Sequence, residues 1–277
     1  MSTIASELRG IGARIPERDT TNRQTRSFWR ALALTGAVLS NMSFLDHLEE
    51  LRRRLIKSVI AVAAGLLLST AYAPAIVRFL KAPAAEYGIE IVGYGALEMF
   101  TLYFHVALAA GICLAAPVVL FQTWRFIEPA LYPHEKRYAV PFLISTTFFF
   151  LLGAAFGYMV ATPYILRIQQ ELAALMEIVW RPSAVEYISL LTATVIAMGA
   201  IFQMPPVIFI LSRIGLVDGR FLLRNFKYAF LILTVLSGVL TPSGDLGPMV
   251  AFLAVMLALY LLSVLVALVF SRKRKVA

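Results

Sequence analysis

The sequence predicts an all-α polytopic integral membrane protein with six transmembrane helices and both termini in the cytoplasm. Of its 277 residues, 60% are hydrophobic and only 15% are charged, whereas soluble domains are about 45–50% apolar and about 25% charged. Six apolar runs are continuous rather than alternating with a period of two, which favours helices over a membrane β-barrel. The basic residues, finally, lie almost entirely on one side of these runs.

The six runs are the predicted spans. A helix needs about 20 mostly apolar residues to cross roughly 30 Å of hydrocarbon. Runs of this kind occupy residues 55–73, 100–127, 138–162, 187–211, 228–240 and 249–270. The fourth carries Pro205-Pro206 near its end. The fifth is short, since 13 residues cover only about 20 Å at about 1.5 Å per residue.

The distribution of charge predicts the orientation of these spans. One side of the predicted membrane carries 21 of the 25 basic and nine of the 16 acidic residues, a net charge of +12. The other side carries four basic and seven acidic residues, a net charge of −3. Because cytoplasmic loops are enriched in lysine and arginine, we expect both termini to be cytoplasmic. The net charge of +9 therefore records orientation in a membrane, and we expect no nucleic-acid partner.

Motifs for catalysis and for metal or nucleotide binding are absent from the sequence. It contains no GxxxxGK[ST] phosphate-binding loop, and its three histidines lie on separate segments without metal-ligand spacing. We therefore expect no enzyme activity, no metal site and no cofactor. One function class that these absences leave open is a small-molecule secondary transporter. That class predicts a midplane site between two related halves, whereas this chain shows no similarity between its halves.

The predicted domain organisation has three parts. Residues 1–42 are expected to be a disordered cytoplasmic extension, residues 43–270 the six-span membrane domain, and residues 271–277 a basic cytoplasmic tail. Ser43-Phe44-Leu45-Asp46 resembles a capping box, which predicts the start of an amphipathic helix at Ser43. That helix is expected to run directly into the first span.

Two glutamates on the predicted cytoplasmic side allow two interpretations. Glu49–Arg53 and Glu50–Arg54 are (i, i+4) pairs in the favourable order, each adding about 0.2–0.5 kcal/mol to a helix. Alternatively, the Glu50 carboxylate is held at the membrane surface to bind an external guanidinium through two parallel hydrogen bonds. Glu135 has the same alternatives beside its basic neighbours.

These segments resemble a known family. Residues 43–55, SFLDHLEELRRRL, and residues 126–137, FIEPALYPHEKR, resemble the N-terminal motif and the first cytoplasmic loop of the TatC family. Leu240-Thr241-Pro242 is similar to the end of the family's fifth span. The resemblance covers roughly residues 43–270, with six spans in matching order, and TatC is the core subunit of the twin-arginine protein translocase.

The resemblance implies a function and a set of site residues. Family members bind the twin-arginine motif of signal peptides on folded cargo. They also recruit single-span TatA and TatB subunits into a hetero-oligomer with several copies in the lipid bilayer. The matching positions imply that Glu50 and Glu135 face the arginines of the signal peptide. The residues implied to support them are Leu51, Arg52, Phe126 and Arg137.

Further positions are implied to have intramembrane or structural roles. Gln203 lies where relatives often carry a glutamate in the fourth span. It is expected either to contact a partner helix or to be satisfied by a neighbouring span, and Thr241 and Pro242 are expected near the partner-helix site. The residues expected in structural loops are Pro83, Glu98 and Pro129.

Overall fold

The computed structural model describes residues 23–127, 139–213, 215–241 and 246–270, and the side chains of residues 47–126, 140–213, 215–241 and 246–270. The chain divides into two compact units, Met1–Arg53 and Arg54–Ala277. In chain order the helices are α1 (Arg23–Glu86), α2 (Ala96–Ile127), α3 (Ala139–Phe156), a π-helical turn (Gly157–Ala161), α4 (Thr162–Leu175), α5 (Ala184–Ile201), α6 (Met204–Arg213), α7 (Gly219–Arg224), α8 (Phe226–Leu240) and α9 (Leu246–Phe270).

Five helical segments are long and apolar enough to cross a membrane. They are His47–Glu86, Ala96–Phe126, Val140–Leu175, Ala184–Arg213 and Leu246–Phe270. The prediction of an all-α polytopic membrane protein is therefore confirmed. The remaining predicted span corresponds to α8, whose 15 residues extend for only about 22 Å at about 1.5 Å per residue. That α8 also crosses the membrane, as the fifth of six spans along the chain, stays a prediction.

The structure corrects two predictions that concern α1. This helix begins at Arg23, so the helix start predicted at Ser43 is wrong. A capping signature states a local preference, and a helix passes through it when the residues before it are also helical. Pro83 lies buried inside α1 rather than in a loop. A proline in a helix removes one N–H donor and often bends the helix, but it does not end this one.

The third span is longer than predicted because Pro163 does not end the helix. The π-helical turn Gly157–Ala161 connects α3 to α4, and Pro163 falls in the first turn of α4. A proline is tolerated there because its missing N–H would have no partner in a new helix. The Thr162 hydroxyl donates to the Gly157 carbonyl at 2.9 Å. The helical segment consequently reaches Leu175, well beyond the predicted end at residue 162.

The second unit has two ends, which are named here by their aromatic residues. At the Trp124 end, the side chains of Trp124, Phe142 and Ile210 form one buried cluster. At the Tyr94 end, Val92 and Ser183 form a parallel β-bridge between the segment before α2 and the segment before α5. Helices α2, α3 and α5–α6 run between these ends.

Helices α3 and α5 approach each other closely through glycines. A Cβ atom on Gly153 would lie 2.5 Å from the Met198 carbonyl oxygen, and one on Gly157 would lie 2.9 Å from the Val195 Cα. Gly153 and Gly157 form a GxxxG pattern, which permits close backbone approach between membrane helices. On the other helix, Gly199 packs against the ring of Phe150.

The fourth predicted span is interrupted rather than continuous. Helix α5 ends at Ile201 and α6 begins at Met204. Pro205 and Pro206 have no N–H groups, so the carbonyls of Ile201 and Phe202 lose their helical partners four residues on. This break places Gln203 at the junction of the two helices.

Candidate functional site

The first unit contains three of the predicted binding residues on one helical turn of α1. Leu51 is 42% exposed, Arg52 is exposed and Glu50 is half-buried. The neighbouring Glu49 forms the predicted ion pair with Arg53 at 3.2 Å, and both side chains are exposed to solvent. An exposed pair of this kind stabilises a helix only weakly. The helix therefore presents exposed leucine and arginine side chains beside its carboxylates.

The Trp124 end of the second unit contains Phe126, another predicted binding residue. Phe126 is half-buried near the end of α2. Two residues earlier, Trp124 is 1% exposed and packs against Phe142 with ring centroids 4.6 Å apart and the ring planes tilted by 37°. Arg54 donates to the Gln122 Oε1 atom at 3.4 Å and so connects α1 to the same part of α2. These contacts hold the end of α2, and with it Phe126, in a defined position.

The other predicted residues of the loop between α2 and α3 lie outside the described residues. They are Pro129, Glu135 and Arg137, and Pro242 likewise lies outside them. The roles given to them above stay predictions.

Gln203 binds a neighbouring span through its amide. Its Nε2 atom donates to the Thr146 carbonyl of α3 at 3.0 Å. Its Oε1 atom is buried and has no hydrogen-bond partner among the described residues. The break between α5 and α6 therefore positions a polar side chain at the interface between α3 and α5.

Thr241 lies at the end of the short helix α8. Its hydroxyl is buried and donates to the Ser237 carbonyl at 2.6 Å. Most of α8 is exposed, including large apolar side chains such as Val239 at 78% and Leu231 at 62%, whereas Leu233 and Ser237 are buried. An apolar helix with this much uncovered surface faces either lipid or another apolar helix.

Glu98 joins two segments at the Tyr94 end. It lies in the first turn of α2, and its carboxylate accepts hydrogen bonds from the Tyr94 N–H at 2.5 Å and from the Val185 N–H at 3.3 Å. The Tyr94 hydroxyl donates to the Arg181 carbonyl at 3.1 Å, and Arg181 pairs with Glu90 at 3.2 Å. One acid thus bonds the loop before α2 to the start of α5. The sequence showed an acid before a span but carried no signal for its partner 87 residues away.

Replacing Glu98 by alanine is expected to loosen both segments that its carboxylate holds. The Tyr94 and Val185 amides would lose their acceptor, so we expect both to exchange hydrogen with solvent faster than in the wild type. Hydrogen–deuterium exchange of the detergent-solubilised protein measures this. Glu98→Gln keeps an acceptor oxygen and is expected to retain more of the protection. Unchanged exchange at both amides in Glu98→Ala would contradict the assignment.

An apolar cavity of about 320 Å³ lies among α1, α2, α3 and α5. Its lining is chiefly alanine and larger aliphatic or aromatic side chains, including Phe79, Ala109, Ala154, Leu191 and Ile196. Polar groups that converge on one point, which specific binding of a polar solute requires, are not a feature of this lining. Among the residues that the structure describes, no group of three or more His, Cys, Asp or Glu side chains is placed to hold a metal ion.

Comparison with known proteins identifies the family. The profile of the family Sec-independent protein translocase protein (TatC) matches residues 46–270. A TatC protein of Koribacter versatilis is 34% identical over 252 residues, which are 87% of this chain and 91% of that protein. A TatC protein of Aquifex aeolicus is 33% identical, over 84% of this chain and 98% of that protein.

The fold agrees with the sequence comparison. A crystal structure described as the twin arginine translocase receptor TatC superimposes with a TM-score of 0.72 at 33% identity, covering 80% of this chain and 97% of that one. A second crystal structure of such a receptor, in DDM, has a TM-score of 0.73 and is covered to 99%. From the matched profile, the identities and the shared fold, we conclude that this chain belongs to the TatC family of Sec-independent protein translocase subunits.

Proposed function

We propose that this chain is the signal-peptide receptor and core subunit of a twin-arginine translocase, and that it takes part in exporting folded proteins across the cytoplasmic membrane. As a member of the TatC family it is a non-enzymatic transport protein. The solved relatives are described as twin arginine translocase receptors, which supports the proposal. In this role the chain binds its cargo's signal peptide and assembles partners, and it catalyses no reaction.

The observation that carries the proposal is the composition of α1 around Glu50. A carboxylate side chain stands there beside the exposed Leu48 and Leu51, near the start of the long apolar segment His47–Glu86. A signal peptide combines basic and apolar residues, so a carboxylate flanked by leucines matches both of its chemical features. Glu135 is proposed as the second carboxylate, because two guanidinium groups call for two acceptors. Phe126, Arg52 and Arg137 are proposed to contribute to binding of the signal peptide.

The geometry of the guanidinium group explains why such a site would bind arginine in the signal peptide better than lysine. Arginine presents a planar fork of donors that binds a carboxylate through two parallel hydrogen bonds. Lysine carries the same charge but only as a compact ammonium group. At a membrane interface the effective dielectric constant is lower than in water, which strengthens such pairs.

The orientation and the partners belong to the same proposal. The excess of basic residues on one side favours six spans with both termini in the cytoplasm, with α8 as the short fifth span. The exposed apolar face of α8 and the polar end at Thr241 are proposed to receive single-span subunits of the TatA and TatB type. Such a helix would cover the side chains of α8 that this chain itself leaves exposed.

Crosslinking of a signal peptide tests the binding site. A twin-arginine peptide that carries a photoreactive group is added to membranes containing the wild type, Glu50→Ala, Glu135→Ala or the double variant. Each carboxylate is proposed to make two charge-assisted hydrogen bonds of about 1.5–3 kcal/mol each, so we expect each single variant to crosslink at least about 100-fold less at subsaturating peptide and the double variant to crosslink least.

The matched control is Glu49→Ala. It removes the adjacent carboxylate, which is not among the proposed binding residues, and we expect it to crosslink as the wild type does. Immunoblots of the membranes establish equal amounts of each variant. Undiminished crosslinking in the double variant would overturn the site. Equal losses in Glu49→Ala and Glu50→Ala would show that the peptide responds to the total negative charge of this segment and not to a specific carboxylate.

A further inference from the structure

The short helix α7 is fixed to the bundle at one face. Gly219 is buried so tightly that a Cβ atom there would lie 2.6 Å from the Leu268 Cγ of α9. The Tyr260 hydroxyl of α9 donates to the Leu222 carbonyl at 2.9 Å. The Asn225 side-chain amide donates to the Phe221 carbonyl at 2.9 Å and closes the end of the helix. Helix α7 is thus packed against α9 on one side, and its opposite side points away from the bundle.

The opposite face of α7 and the first turn of α8 carry positive charge. Arg220 and Arg224 stand four residues apart, which places them on the same side of a helix, and Lys227 follows at the start of α8. All three side chains are exposed. Among the described residues, neither Arg220 nor Arg224 has an ion pair with an acid. Residues 215–241 contain a single acid, Asp218.

Apolar side chains stand exposed among these cations. Phe221 is 59% exposed, Leu223 is 49% exposed and Tyr228 is 56% exposed. The Lys227 Nζ lies 4.9 Å from the centroid of the Tyr228 ring. A mixture of exposed aromatic, aliphatic and basic side chains is typical of segments that lie in a membrane interface.

The position of the segment in the fold sets its depth relative to the bilayer. Helix α7 follows the end of the apolar segment Ala184–Arg213 and immediately precedes the apolar helix α8. Both neighbours lie in the membrane in the function proposed above, so the connection between them lies at the surface of one leaflet. Its basic residues are therefore at the level of lipid headgroups, where their counter-charge is phosphate.

We propose that Arg220, Arg224 and Lys227 form a binding site for the headgroups of anionic phospholipids, with Phe221 and Leu223 inserted among the acyl chains beneath them. These five residues are called the α7 lipid site. It is distinct from the proposed signal-peptide residues and rests on the proposed membrane placement only for the depth of α7. Because α8 begins at Phe226, the site holds the start of the short helix at one membrane surface. Because α8 is shorter than the hydrocarbon layer is thick, its other end, at Thr241, then stops short of the opposite membrane surface.

Native mass spectrometry of the purified full chain in detergent tests the site. Phosphatidylglycerol and phosphatidylcholine are titrated separately, and the bound lipids are counted. Basic residues near an anionic surface contribute about fivefold in affinity each. We therefore expect Arg220→Gln/Arg224→Gln to bind phosphatidylglycerol on the order of 30-fold more weakly than the wild type, with binding of phosphatidylcholine unchanged.

The matched control is Arg78→Gln/Lys81→Gln, which removes two exposed cations outside the site and is expected to bind phosphatidylglycerol as the wild type does. Arg220→Lys/Arg224→Lys keeps the charge and is expected to retain most of the affinity, which separates loss of charge from misfolding. Glycerol phosphate is added as a competitor, and we expect it to displace little lipid because it lacks acyl chains.

Three results would overturn the site. They are wild-type binding in Arg220→Gln/Arg224→Gln, equal losses in that variant and in the Arg78/Lys81 control, and full displacement of lipid by glycerol phosphate. The assay contains no signal peptide, so its outcome is independent of the crosslinking test. Failure of one proposal therefore leaves the other standing.

Discussion

A signal peptide whose two arginines are replaced by lysine is expected to bind this chain about 100-fold more weakly than the parent peptide. Each replacement keeps the charge and removes one of the two parallel hydrogen bonds to a carboxylate. A hydrogen bond to a charged group is worth about 1.5–3 kcal/mol, so two losses correspond to at least about 100-fold in Kd. Fluorescence anisotropy with a labelled peptide and the purified chain measures the difference.

Glu50→Gln links this effect to a particular carboxylate. If Glu50 binds one arginine, the penalty for lysine at that arginine's position shrinks in the Glu50→Gln protein, as expected of two groups in direct contact. Glu49→Gln serves as the matched variant, because the Glu49 carboxylate is not among the proposed binding groups, and there the penalty should stay at its wild-type value. A penalty that is undiminished in both Glu50→Gln and Glu135→Gln would show that other groups read the arginines.

Gly153→Ala is expected to destabilise the bundle by about 1–3 kcal/mol, the usual cost of overpacking. The added methyl would lie 2.5 Å from the Met198 carbonyl oxygen and 2.8 Å from the Phe202 Cβ. A backbone oxygen cannot rotate away, so α3 and α5 must separate. Separation also strains the hydrogen bond from Gln203 to the Thr146 carbonyl, which crosses the same interface. Unfolding in mixtures of mild detergent and dodecyl sulfate measures the change.

Gly95→Ala is the matched control for this substitution. A Cβ atom on Gly95 would meet nothing within 4 Å, so its unfolding midpoint is expected to equal that of the wild type. If Gly153→Ala unfolded at the same detergent composition as Gly95→Ala, the close packing of α3 on α5 would not hold in the membrane protein.

The spans were predictable because hydrocarbon imposes a simple rule on sequence. Without water to bind the backbone, a crossing segment must be helical and apolar for about 20 residues. The runs around residues 100–127 and 249–270 therefore correspond closely to α2 and α9. The predictions were wrong at the ends of some helices, which this rule does not determine. Helix α1 continues beyond residue 73 through Pro83 to Glu86, and α4 continues beyond residue 162, although charged residues and prolines interrupt the apolar runs there.

The candidate site divides in the same way. Glu50, Leu51 and Arg52 could be proposed from sequence because they lie in one contiguous motif with an evident match to signal-peptide chemistry. Gln203 was visible as a polar residue in an apolar run, but its partner, the Thr146 carbonyl, belongs to another helix. The basic face of α7 was visible only as loop charge. The structure adds that Gly219 and Leu222 contact α9, which leaves the basic side of α7 facing outward.

The sequence by itself determined the class of the protein, the approximate positions of its long apolar helices and its family, because composition, apolar run length and contiguous motifs are properties of the chain alone. The tertiary structure decided which residues meet. It placed the Glu98 carboxylate against Val185, Gly153 against Met198, and Gln203 beside Thr146. Each of these contacts joins residues far apart in the chain, and helix packing brings them together through the shapes of both surfaces. No local pattern contains that information.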